Sequence, residues 1–279
     1  MSESKVWLIT GCSTGLGRAL AEKVLSENHN LIVTARNPAQ LADLAAKYPD
    51  TCLTLALDVT DAAQVESVVR EAEKKWGWLD VLVNNAGYGL IGALEELEEA
   101  QIRQNFETNF FGTLRMIRAA LPVFRRQKAG HIINISAVAG FNNYPGFSVY
   151  GASKFAIEGL SESVAAETRH LGIKVTLVLP GPFKTDFIQR SLVRATAPIS
   201  DYDATSGKFS KILNSMNGRQ PGDPEKAATA ILQIASETNP PLRLVLGKYA
   251  YDKVRRKLAA VENELKTWES VGLPTDFST

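Results

Sequence analysis

Short β-branched runs alternate with longer stretches of helical spacing through the first two-thirds of the chain. Positions 6–10, 30–34, 52–57, 79–83, 131–136 and 175–179 read as strands. Helical spacing covers the stretches near 15–28, 39–48, 61–76, 99–126 and 149–170. Several strand candidates are apolar almost throughout, as expected where helices cover both faces of a parallel sheet. That alternation predicts an α/β, doubly wound parallel sheet with right-handed crossovers.

After Pro180-Gly181-Pro182 the periodicity breaks until Gln220-Pro221-Gly222-Asp223-Pro224. An irregular stretch this long in a compact domain is usually functional or disordered, and just past a strand's carboxyl end segment 186–222 reads as a substrate lid, with a plain surface excursion as the alternative. A helix near 224–237, a seventh strand at 242–246 and a terminal helix over 248–268 follow. In that last helix Tyr249, Val254, Leu258, Val261, Leu265 and Trp268 fall mostly at three- and four-residue steps. With only one apolar face, the stripe reads as core or subunit contact rather than a membrane anchor.

Composition narrows the function classes. The 279 residues suit one large α/β domain or two small ones, a single domain over 1–279 being the expectation, with net charge +1 and 22% charged residues. Nothing there points to nucleic acid. The two cysteines, Cys12 and Cys52, form no CxxC pair, which favours a reducing compartment. His29, His131 and His170 have no metal-ligand spacing, so no metal is expected. The first strand begins within six residues of Met1, leaving no room for a signal peptide, and no apolar run reaches transmembrane length. A cytoplasmic protein acting away from membranes is the expectation.

Two motifs carry chemistry. The run Thr10-Gly11-Cys12-Ser13-Thr14-Gly15-Leu16-Gly17 follows the first strand and opens the first helix. Glycines permit the tight turn and close backbone approach, and the helix N-terminus offers unpaired N–H groups to a pyrophosphate. The second strand ends in Val33-Thr34-Ala35-Arg36. No acidic residue there serves a ribose 2′-hydroxyl, whereas Arg36 can pair with a 2′-phosphate, so NADP(H) is expected over NAD(H). Ser13 and Asn37 can add hydrogen bonds to the same phosphate.

The second motif is Tyr150-Gly151-Ala152-Ser153-Lys154. Four residues apart on a helix, phenol and ammonium share a face, and the ammonium favours phenolate, bringing the tyrosine toward a useful proton-transfer range. A buried tyrosine beside a solvated lysine is the plainer alternative. Phe141, Tyr144, Phe147 and Phe187 point to an apolar substrate pocket, or equally to core.

With Asp58-Val59, Asn84-Asn85-Ala86-Gly87, Asn109 and Pro180-Gly181 added, the chain resembles the short-chain dehydrogenase/reductase family over nearly its full length, most closely its 17β-hydroxysteroid dehydrogenase-like branch. The resemblance implies a Rossmann fold with a seven-stranded sheet, and an NADP(H)-dependent oxidoreductase interconverting a ketone or aldehyde and its alcohol. It places Gly11, Ser13, Thr14, Gly15, Leu16 and Gly17 at the phosphates and adenosine ribose, and Asp58 and Val59 at adenine. Asn85, Ala86 and Gly87 line the ribose side, and Pro180, Gly181, Phe183 and Thr185 the nicotinamide end. Tyr150 becomes the general acid/base, Lys154 binds the nicotinamide ribose and lowers the tyrosine pKa, and Asn109 anchors a proton-relaying water. Local alternatives stand beside these: the Asn-Asn-Ala-Gly run is ordinary turn chemistry, and Asn109 can cap backbone. A homodimer or homotetramer paired through the long helices near 99–126 and 149–170 is also implied.

One position departs from the family. A serine is expected thirteen residues before the tyrosine, and Ala137 stands there. Ser136 precedes it, but adjacent residues of an extended segment face opposite ways. An engineered serine-to-alanine variant, a natural enzyme of reduced activity, or a bulge restoring Ser136 each account for this. The same departure keeps open a non-enzymatic alternative, an NADP(H)-binding sensor.

Overall fold

The computed structural model describes residues 4–277. In chain order, Val6–Ile9 (β1), Gly15–Ser26 (α1), Asn30–Ala35 (β2), Ala42–Lys47 (α2), Cys52–Ala56 (β3), Ala62–Trp76 (α3) and Val81–Asn84 (β4) lead into a short strand, Gly89–Ile91 (β5). Helices Glu99–Phe106 (α4) and Gly112–Gln127 (α5) precede Gly130–Ile135 (β6), and Ser148–Thr168 (α6) precedes Ile173–Pro180 (β7). Then come Phe187–Arg190 (α7), Leu192–Arg194 (β8), Lys208–Met216 (α8), Pro224–Ser236 (α9), Arg243–Leu246 (β9) and Lys248–Gly272 (α10).

Seven strands form one sheet in the order β3-β2-β1-β4-β6-β7-β9, every pairing parallel. The strands β1 and β4 are buried at every position, which is why they read as continuous apolar runs. Leu20, Val24 and Ile231 from α1 and α9 cover one face, and Val65, Val68, Met116 and Phe124 from α3 and α5 cover the other. Local signals fix the ends. Asp61 accepts from the Ala63 and Gln64 N–H groups at 2.9 and 3.1 Å to start α3, and Gly77 closes it at φ +83°. The chain order reverses between β1 and β4, opening a crevice at their carboxyl ends.

Three expectations change. Segment 186–222 is not irregular: it holds α7, β8 and α8, and β8 pairs in parallel with β5 to make a separate two-stranded sheet. The helical stretch 99–126 is continuous in direction but carries a π-helical turn over Glu107–Phe111. The apolar stripe of α10 is not core, since Leu258, Leu265 and Trp268 are 55, 69 and 65% exposed. No helix of the described residues is long and apolar enough to cross a membrane.

The titratable groups deep in the sheet have structural surroundings. Cys12 and Cys52 are buried and unpaired with each other, and burial pushes their thiols up to about 12 and about 11. His131 Nε2 lies 2.9 Å from Thr176 Oγ1, and burial drives this imidazole down to about 3.

Candidate active site

The glycine loop is built around Asn85. Its Nδ2 donates to the carbonyls of Thr10 and Gly11, both at 2.9 Å, tying the end of β4 to the loop after β1. Thr10 Oγ1 accepts from the Asn85 and Ala86 N–H groups at 2.9 and 3.0 Å. Gly11 and Gly15 adopt φ +72° and +64°, where a side chain is strained. A Cβ on Gly11 would lie 3.0 Å from Ala86 Cα, and one on Gly17 2.5 Å from the Gly11 carbonyl oxygen. The N-terminus of α1 receives no side-chain cap from Thr14, so its first N–H groups stay available to an anion. These features fit a dinucleotide pyrophosphate.

Around this loop, Arg36, Asp58, Val59, Ala86 and Gly87 line the same cavity of about 850 Å³ as Ser13, Thr14, Gly15 and Leu16. The Asp58 carboxylate accepts from Thr60 N–H and Oγ1 at 2.9 and 2.7 Å. Asn37 is not in the cavity wall. Its carboxamide oxygen accepts from Ala39 N–H at 3.1 Å as the cap of a short turn.

Tyr150 and Lys154 sit on α6 in the cavity floor, 7 and 5% exposed. Lys154 Nζ donates to the Ile135 carbonyl at 2.9 Å and lies 5.9 Å from the Tyr150 ring centroid. Burial pushes this ammonium down to about 8, opposed by Glu158 one turn along the helix. Burial also raises Tyr150 well above the usual phenol range. In the protein without cofactor, burial therefore acts on this phenol in the direction opposite to that expected of a neighbouring ammonium.

Asn109 lies in the π-helical turn, fully buried, and its carboxamide is engaged at both ends. Its oxygen accepts from Tyr88 N–H at 3.0 Å, and its Nδ2 lies 3.0 Å from the Tyr88 carbonyl and 3.1 Å from Ser153 Oγ. The side chain clamps the turn carrying Gly87 and is not directed at the cavity. A π-turn at such a clamp agrees with the tendency of these turns to occur at functional sites.

The register of β6 on β7 runs unbroken from Gly130↔Ile173 to Ile135↔Val178. The ladder ends there, and both Ser136 and Ala137, which follow it, line the cavity. The Ser136 hydroxyl is buried without a full hydrogen bond, beside Gly140 and facing Glu158. Ala137, in contrast, joins the apolar cluster of Tyr150, Phe147, Ala139 and Ile91.

Pro180, Gly181, Phe183 and Thr185 complete the wall at the carboxyl end of β7. Thr185 faces Gly15 across the cleft, where a Cβ on the glycine would meet its Cβ at 3.6 Å. One cavity thus runs from a phosphate-type loop to a buried Tyr–Lys pair.

Residues 5–194 match the family model of the short chain dehydrogenases. The chain is 36% identical to Oxidoreductase BOA17 of Botryotinia fuckeliana over 97% of this chain and 98% of that protein. A short-chain dehydrogenase structure from Streptomyces avermitilis, 41% identical, superposes with TM-score 0.93 over 99% of this chain and 100% of that one. The structure of ElxO with NADP bound is 31% identical, with TM-score 0.73 over 88 and 96% of the two chains.

The chain belongs to the short-chain dehydrogenase family.

As a member of that family it is an oxidoreductase that binds a nicotinamide cofactor. Some of this short-chain dehydrogenase's cavity was not foreseen from sequence. Phe209, Ile212 and Leu213 enter from α8, and Gln220, Tyr249 and Lys253 from farther along. Tyr144, Phe147 and Phe187 line it as expected. Phe141 does not: it packs against the cluster of Ile157, Leu177 and Leu179 on the other side of α6.

Proposed function

We propose that this short-chain dehydrogenase interconverts a ketone or aldehyde and its alcohol with NADP(H), Tyr150 acting as general acid/base. The observation that carries this reading is the buried Tyr150–Lys154 pair in one cavity with the glycine loop.

The nicotinamide, when bound, supplies or accepts the hydride. Gly11, Ser13, Thr14, Gly15, Leu16 and Gly17 hold the phosphates, Asp58 and Val59 flank adenine, and Asn85, Ala86 and Gly87 border the ribose. Pro180, Gly181, Phe183 and Thr185 border the nicotinamide end. Arg36 lies in the wall where a 2′-phosphate would fall, with Ala35 offering no carboxylate to a 2′-hydroxyl. ElxO, a relative of known structure, binds NADP, in line with that preference.

Tyr150 holds its proton because burial disfavours phenolate, so it is poised to donate to a carbonyl oxygen as negative charge develops there. Lys154, fixed by its bond to the Ile135 carbonyl, keeps a positive charge near the phenol and the ribose. Segment 186–222 closes over the substrate. We place the protein in the cytoplasm as a homodimer or homotetramer.

Consumption of NADPH against a panel of ketones and aldehydes tests the reading, with Tyr150→Phe abolishing turnover but not NADPH binding. Arg36→Asp should reverse the cofactor order, and tighter NAD than NADP binding by the parent protein would reject the preference. A second reading, an NADP(H) sensor, draws on Ala137 in place of a hydroxyl donor. It predicts NADPH binding without consumption across the whole panel.

A further inference from the structure

The part of the cavity beyond Tyr150 is an aromatic box with positive charge at its edge. Tyr144 and Phe209 stack with centroids 5.1 Å apart and planes 7° apart. Phe147 meets Phe209 edge-on at 5.0 Å and Tyr150 at 4.9 Å, so an aromatic wall runs without a break from Tyr150 to Tyr144. Such a wall favours a flat apolar body.

At its far end stands Lys253 of α10, its Nζ 4.8 Å from the Tyr144 centroid and 5.8 Å from that of Tyr249. Asn142 Nδ2 donates to the Lys253 carbonyl at 3.2 Å, tying this turn of α10 to the segment before α6. Among the described residues Lys253 makes no ion pair, while its neighbour Asp252 is taken by Lys248. The Tyr144 hydroxyl is buried without a close acceptor, its polar neighbour being the Tyr249 hydroxyl. Gln220, 7% exposed, lines the same cavity with both ends of its amide unpartnered. Buried polar groups are seldom left so, because each unpaired one costs stability.

The charges in the wall have one sign here. Lys154, Arg190 and Lys253 line this half, whereas the one carboxylate in the lining, Asp58, lies by the glycine loop and is held by Thr60. Arg190 has its own partner in Asp186, at 3.8 Å. Lys154 is held by the Ile135 carbonyl, whereas Lys253 makes no ion pair among the described residues and stands over the Tyr144 ring. An anion is the complement.

We propose that the substrate is a flat, apolar ketone carrying a carboxylate remote from the reacting carbonyl, received by the Lys253 ammonium and the Tyr144 hydroxyl, with Gln220 offering a further polar contact. This rests on the carbonyl-reducing reading above and names the substrate class for it.

Calorimetric titration of the NADPH-loaded protein with an acetylnaphthoate and with its methyl ester tests the proposal by binding alone. The acid should bind about 10-fold tighter than the ester, or more, as for a charge-assisted hydrogen bond. Lys253→Met should bring the acid down to the ester's affinity, Tyr144→Phe should narrow the gap, and Lys253→Arg should keep it, with thermal melts checking that each variant is folded. Equal binding of acid and ester, binding of neither, or a preference that survives Lys253→Met overturns it. NADPH consumption is read separately: an acid that binds selectively yet is never reduced counts against Tyr150 chemistry and leaves the carboxylate site standing.

Discussion

Gly17 and Asn85 share a volume that only a glycine leaves free. A Cβ at position 17 would lie 2.3 Å from Asn85 Nδ2, the same nitrogen that ties the Thr10 and Gly11 carbonyls. Gly17→Ala must therefore push Asn85 off the loop. The expected cost is about 1–3 kcal/mol of stability from overpacking, with NADPH affinity weakened by about 10-fold or more as the loop moves. Fluorescence titration and chemical denaturation measure the two effects. Gly159→Ala is the control, for nothing lies within 4 Å of the Cβ it would carry. It should gain about 0.5–1 kcal/mol and leave nucleotide binding alone.

Asn109 binds both the N–H and, together with Asn105, the carbonyl of Tyr88. Asn109→Ala leaves the Tyr88 N–H buried without its partner, while the Tyr88 carbonyl keeps the Asn105 Nδ2 donor at 3.1 Å, at an expected cost of about 1–3 kcal/mol. Because the clamped turn carries Gly87, whose Cβ would be 3.7 Å from Lys154 Nζ, kcat/KM should fall with stability. Asn109→Asp keeps the acceptor for Tyr88 N–H and loses the donor. An intermediate loss is expected, and an unchanged Asn109→Ala enzyme would show that the clamp is dispensable.

The missing hydroxyl gives a gain-of-function test. Ala137→Ser places a donor in the apolar cluster that contains Tyr150. Restoring one donor of this kind is worth about 10²–10³-fold in rate, read as carbonyl reduction at saturating NADPH. Ser136→Ala should give no comparable change, since that hydroxyl faces Glu158. Should Ser136→Ala be the more damaging of the two substitutions, the roles assigned to these neighbours are reversed.

His131 predicts how stability varies with acidity. Its native imidazole is held near 3 by burial, while in the unfolded chain it titrates at its ordinary value of 6.5. Below 6.5 the unfolded state takes up the proton and the native state does not, so stability is lost as pH falls through this window and recovered as it rises. Between pH 7 and 5 the linkage amounts to about 2 kcal/mol. Urea denaturation at the two pH values should show a smaller drop for His131→Gln than for the parent. Equal drops would mean that the imidazole is protonated inside the sheet.

Most of the sheet could be read from sequence because parallel strands buried on both faces leave uninterrupted apolar runs, as in Val6–Ile9 and Val81–Asn84. The three-residue strands Gly89–Ile91 and Leu192–Arg194 could not, being too short to show a period and paired only through tertiary structure. The helix Lys208–Met216 was hidden by its setting between turns, and with it the placement of Phe209 and Leu213 in the cavity. Glycines and the Tyr–Lys spacing announce themselves locally. The partners of Asn109 and the approach of Lys253 to Tyr144 depend on segments brought together by folding, which no local pattern records. A charge beside Tyr150 is visible in sequence, whereas the depth that raises its phenol is not.

Lys253 enters a cavity whose other end is the loop after β1, and β9, the strand just before its helix, completes the sheet beside β7. A chain cut just after β9 would therefore lose the rim cation and keep the glycine loop in the sheet.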